Sequence, residues 1–131
     1  MKYRRFEELP VWQDAAELAR RTYEFTSIEP LRRHPGLRDQ LERAALSVSN
    51  NVAEGVERGT THELLAFLYI ARGSAGEVRS MLRVLEGWQA FDNFKYQISD
   101  LSARCEKISR QLYGWIENLK NSEIAGQRRL D

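Results

Sequence analysis

The sequence predicts an all-α protein, an antiparallel up-and-down four-helix bundle. Apolar residues recur at three- and four-residue steps through four long segments, the period of a helix face. No segment alternates apolar and polar residues as a half-buried strand would. The connections between segments are short, which favours antiparallel neighbours.

A chain of 131 residues suits one domain with one core. Residues 1–121 are expected to form the bundle. Residues 122–131 read as a polar tail and are expected to be disordered.

The first helix begins near Pro10, which fits a first helical turn. Val11, Ala15, Leu18, Thr22 and Phe25 form one stripe, and Trp12, Ala16, Ala19 and Tyr23 form a second. So broad an apolar face predicts two neighbours. The helix stops before Glu29-Pro30. Pro30, Pro35 and Gly36 then make an irregular loop.

The second helix is predicted from Leu37 to Glu54, with Gly55 as its stop. Leu37, Leu41, Ala44, Val48 and Val52 are its apolar face. Ser47 and Asn51 share that face, with Arg43 and Glu54 beside it. Polar groups near a seam need partners, because burying one unpaired costs about 1–3 kcal/mol. Arg43, Asn51, Glu54 and Glu77 are therefore expected to form a polar network linking helices or subunits.

Thr60 and Glu63 read as a capping box for the third helix, about Thr61 to Glu86. Leu64, Phe67, Leu68, Ala71, Ala75, Val78, Leu82 and Leu85 line it. Gly73 and Gly76 lie in its interior, where each costs about 1 kcal/mol relative to Ala. Close approach of another helix is the expected compensation. A turn over 87–93 leads to the fourth helix, about Phe94 to Lys120. Its Ile98, Leu101, Cys105, Ile108, Leu112, Trp115 and Leu119 alternate at three and four, as in a coiled-coil seam.

Net charge is +1, with 20 basic and 19 acidic residues, so no bulk field draws the protein onto nucleic acid or membrane. Sixteen of the basic residues are Arg, which suits bidentate pairing with carboxylates and phosphates. Cys105 is the only cysteine, so no disulfide forms within the chain. The N-terminal segment lacks a secretory h-region, and the longest apolar run, Leu64 to Ala71, is far shorter than a membrane span. A cytoplasmic location without membrane contact is expected.

No catalytic constellation stands out, and no cofactor or metal is expected. His62 and Glu63 open like a zinc-protease motif, but Ala66 stands where the second ligand would be. Cys105 falls on an apolar seam, where cysteine is ordinarily inert packing. Gly55 to Gly59 is too short for a phosphate loop. Gly73 to Gly76 lies inside a helix, where backbone N–H groups are already bonded. Two arginine groups are candidate RNA contacts: Arg32, Arg33 and Arg38 near the first loop, and Arg72, Arg79 and Arg83 on one flank of the third helix. Acidic residues Glu24, Glu29, Asp39 and Glu42 stand among the first group.

Three blocks together resemble the 23S rRNA intervening-sequence protein family. Phe6, Leu9, Val11, Trp12, Gln13 and Ala15 are similar to its opening F-x-x-L-x-V-W-x-x-A. Arg43, Ala44, Ala45, Ser47, Val48, Asn51, Val52, Ala53, Glu54 and Gly55 resemble R-A-A-x-S-I-P-x-N-I-A-E-G. Glu63, Phe67, Leu68, Ile70, Ala71, Gly73, Ser74 and Glu77 resemble E-F-x-x-F-L-x-I-A-x-G-S-x-x-E. The likeness covers roughly residues 6–86. Ser49 replaces a usual Pro, so a milder bend in the second helix is expected.

The resemblance implies a non-enzymatic bundle that self-associates, as a pentamer in known members. It implies a scaffold for RNA or for an RNA-handling partner. A branch of the same fold serves reverse transcriptases of diversity-generating retroelements as an accessory subunit. That gives the alternative reading, a subunit binding a reverse transcriptase and its RNA.

Overall fold

A computed structural model describes residues 5–122 as four long helices joined by short connections. They are α1 (Pro10–Thr26), α2 (Pro35–Glu57), α3 (Thr61–Glu86) and α4 (Lys95–Lys120). Short 3-10 helices at Phe6–Glu8, Leu31–Arg33 and Gln89–Phe94 precede α1, α2 and α4. There is no strand among the described residues. The expected polar tail, 123–131 for the most part, lies outside them.

Each helix packs on its sequence neighbours, and α1 also packs on α4. Long-range contacts give the directions. Along α3 and α4, Arg72 meets Tyr113 while Arg79 meets Glu106, so the two run oppositely. Along α1 and α4, Asp14 meets Lys107 and Gln111 while Arg21 meets Asp100, again oppositely. One core fills the middle. Leu18, Leu41, Val48, Leu68, Leu82, Ile108 and Leu112 are wholly shielded from solvent within it.

The predicted faces point inward, with one shift. On α4 the seam runs Ile98, Leu101, Cys105, Ile108, Leu112 and then Ile116; Trp115 is only partly buried. A straight helix drifts against a strict 3.5-residue repeat, so the inward position moves on by one residue.

The structure corrects the end of α2. Gly55 does not stop the helix, which continues to Glu57 with Val56 buried. The chain turns instead at Gly59, whose φ of 92° lies in the left-handed region that favours glycine. Thr60 then caps α3: its Oγ1 accepts from the Glu63 backbone N–H and donates to Oε1 of Glu63.

Gly55 has a packing role. A Cβ there would lie 3.0 Å from Phe67 Cβ and 3.1 Å from Leu64 Cδ1. It is the close approach that had been expected at Gly73 and Gly76. Those two are exposed, and a Cβ on either meets nothing within 4 Å. Within the chain nothing offsets their helix cost. Ser49 is buried and its hydroxyl donates to the Leu46 carbonyl, inside an uninterrupted helix.

These environments predict opposite signs for one substitution. Gly55→Ala should lose about 1–3 kcal/mol by overpacking, since the Phe67 Cβ cannot move without its backbone. Gly73→Ala should gain up to about 1 kcal/mol from helix propensity. Urea unfolding of both variants measures this. A stabilised Gly55→Ala protein would show that α2 and α3 are not held together at this point.

Candidate nucleic-acid interface

Helical periodicity and ion pairing decide which arginines can meet a ligand. Arg32 and Arg33 donate to opposite oxygens of Glu29, at 3.1 and 2.9 Å. Arg38 Nε donates to Glu42 at 3.0 Å, and the same carboxylate oxygen accepts from Thr26 Oγ1 at the end of α1. The Glu42 side chain is only 14% exposed. Arg38 therefore helps hold α1 to α2, and a nearby carboxylate answers each cation of this group.

The second group is arranged differently. Arg72, Arg79 and Arg83 follow one another at seven and four residues, so they share one face of α3, toward α4. The Arg72 guanidinium lies 4.9 Å from the centre of the Tyr113 ring, which is half exposed. Arg79 and Arg83 share Glu106 at 3.8 and 3.9 Å, beyond hydrogen-bonding distance. Arg83 also pairs with Glu86 at 3.2 Å. Arg110 of α4 joins this face. Neither Arg72 nor Arg110 has a carboxylate partner among the described residues. Four guanidiniums thus face two carboxylates. Arg110 was not among the predicted residues. It stands one helical turn from Glu106 and Tyr113, but only the pairing of α3 with α4 brings it to Arg72.

The expected polar network takes another form. Its four members make no hydrogen bonds with one another. Arg43 pairs with Asp39 at 2.9 Å, and Glu54 with Arg58 at 3.0 Å, both in the open. Glu77 shares a shallow depression with Gln40, Arg43 and Ser47. Two members lie in linked sets: Glu54 connects through Arg58 to Glu63 at the start of α3, at 3.3 Å, and Asn51 connects through Ser47. Asn51 Nδ2 donates to both the carbonyl and the hydroxyl oxygen of Ser47, each at 2.8 Å. Ser47 Oγ in turn lies 2.8 Å from Ser74 Oγ on α3. In the middle of the α2–α3 interface the link is thus two hydroxyls. The long side chains reach solvent, where pairing with a charge one turn away in the same helix costs no burial.

The remaining chemistry is sparse. Burial pushes the Cys105 thiol up to about 12, so it carries no thiolate at neutral pH. Among the described residues no group of His, Cys, Asp or Glu could hold a metal ion, and no helix is long and apolar enough to cross a membrane.

Ser74→Ala should remove the one side-chain hydrogen bond that joins the middles of α2 and α3 among the described residues, and leave Ser47 with Asn51 alone. The expected cost is about 1 kcal/mol in chemical denaturation. Glu54→Ala, which breaks an exposed pair, should cost less than about 0.5 kcal/mol. Equal losses would show that the hydroxyl link has no special weight.

No curated protein matches the chain. The family model described as 23S rRNA-intervening sequence protein matches residues 7–114. That span takes in α1, α2, α3, the Arg72–Arg79–Arg83 face and most of α4. The chain belongs to the 23S rRNA-intervening sequence protein family.

Proposed function

We propose that this chain is a non-enzymatic, self-associating scaffold for RNA or an RNA-bearing particle, and that it meets RNA through the α3–α4 face. The observation that carries this reading is the pair of guanidiniums without carboxylate partners, Arg72 and Arg110, beside the half-exposed Tyr113. The family's name associates it with ribosomal RNA, which supports the choice of RNA over another polyanion.

Self-association is supported by an apolar groove between α1 and α2. Trp12, Ala16, Ala19, Tyr23 and Leu46 line it, with Tyr23 44% and Leu46 41% exposed. Large apolar side chains beside one another in solvent mark interaction surfaces. Gly73, without a packing role inside the chain, suits contact with another subunit. A pentamer is the state that the family resemblance favours. Repeating a weak cationic face around such a ring raises avidity without any new contact.

The test is binding of labelled RNA at two salt concentrations. Affinity should fall steeply with salt, because phosphate contacts release counterions. Arg72→Glu with Arg110→Glu should abolish binding, and Arg32→Glu with Arg33→Glu should weaken it by no more than about threefold. The reverse order would move the interface to the first loop. In light scattering the protein should run at several times the 15.3 kDa chain mass, and Leu46→Asp should lower that multiple. A monomeric parent at micromolar concentration would end the self-association reading.

A further inference from the structure

The depression between α3 and α4 is lined by Arg72, Arg79, Glu106, Ser109, Arg110 and Tyr113. The antiparallel pairs Arg72–Tyr113 and Arg79–Glu106 fix the register. Gly76 falls midway between them on α3, and Ser109 falls midway on α4. Small residues therefore occupy the middle of both helices along the stretch where Arg72, Arg79 and Arg110 line the depression. Glycine is a poor choice in a helix interior. A Cβ at Gly76 would meet only open space, so packing within the chain does not require its absence. Gly76 is one helical turn from both Arg72 and Arg79, so no side chain stands between them on that flank of α3.

We infer that this groove binds an unpaired RNA strand: a phosphate seated over Gly76 and Ser109 between Arg72, Arg79 and Arg110, with the adjoining base stacked on the Arg72–Tyr113 pair. This rests on the RNA-scaffold reading above. Cationic grooves with a stacking aromatic suit single strands, because any base offers a π-face once it is unpaired. Arginine adds a planar cation to that stack. Packed helices have axes only about 8–10 Å apart. A groove of that width admits a single strand, whereas a duplex can lay its phosphates only along the rim and keeps its base faces hidden. The weak hold of Glu106 on Arg79, at 3.8 Å, leaves that cation able to turn to a phosphate.

The test uses the full chain and two fluorescent probes, a mixed-sequence single strand of about twelve nucleotides and the same strand annealed to its complement. The single strand should bind at least about tenfold more tightly. Tyr113→Ala should weaken the single strand by about fivefold or more and leave the duplex unchanged. Gly76→Ala should raise the melting temperature and still weaken single-strand binding, a combination that a purely structural role for Gly76 does not produce. Equal affinity for strand and duplex, or a single strand indifferent to both Gly76→Ala and Tyr113→Ala, overturns the inference. If Arg72→Glu with Arg110→Glu then abolishes binding of both probes, the scaffold reading stands without it. If neither probe binds the parent at low salt, the scaffold reading fails as well.

Discussion

The contact at Gly55 sets the spacing of α2 against α3. A side chain there would press on the Cβ of Phe67 and on Leu64, so the two helices sit together only because one lacks it. Further along the same interface Ser47 meets Ser74. With α2 and α3 held in this register, the buried faces of α1 and α4 close the core around Leu68, Leu82 and Leu112. The same packing turns Arg72, Arg79 and Arg83 toward α4.

Charge is distributed by proximity in the fold, not by composition. With 20 basic and 19 acidic residues, a uniform surface would present no field. Most of the described arginines find a carboxylate three or four residues away in the chain, as Arg21, Arg33, Arg43 and Arg58 do. Such exposed pairs add little stability. Their consequence is electrostatic: they cancel the field over much of the surface. Arg72 has no acid at that spacing, Arg110 makes no ion pair with Glu106 four residues before it, and the two line one groove. A nearly neutral chain thereby keeps one cationic strip.

The bundle leaves two kinds of surface open. The α1–α2 groove is apolar, because the second stripe of α1 has only Leu46, Ser49 and Asn50 of α2 beside it. The α3–α4 groove is polar and cationic. They lie along different helix pairs, so one can join subunits while the other stays free.

Much of the architecture was legible from local pattern. The inward faces of Leu41, Val48 and Val52, and of Leu64, Leu68 and Val78, follow from the 3.6-residue period, which is a property of neighbouring positions. The cap at Thr60 and the inert Cys105 followed for the same reason. The three motif blocks, read as a resemblance, gave the family. The role of each glycine was not legible: Gly55 read as a stop and Gly73 as a contact, whereas the packed position is Gly55. Glycine looks the same in sequence whether it faces a neighbour or open space. The polar partners were equally hidden. Arg43 and Glu54 pair one turn away within α2, and Ser47 reaches a residue 27 positions later. By itself the sequence determined the helices, their buried faces and the family, because these depend on periodicity and motif. Only the tertiary structure decided which arginines are cancelled and which remain open, because that depends on which side chains of different helices come within a few ångströms.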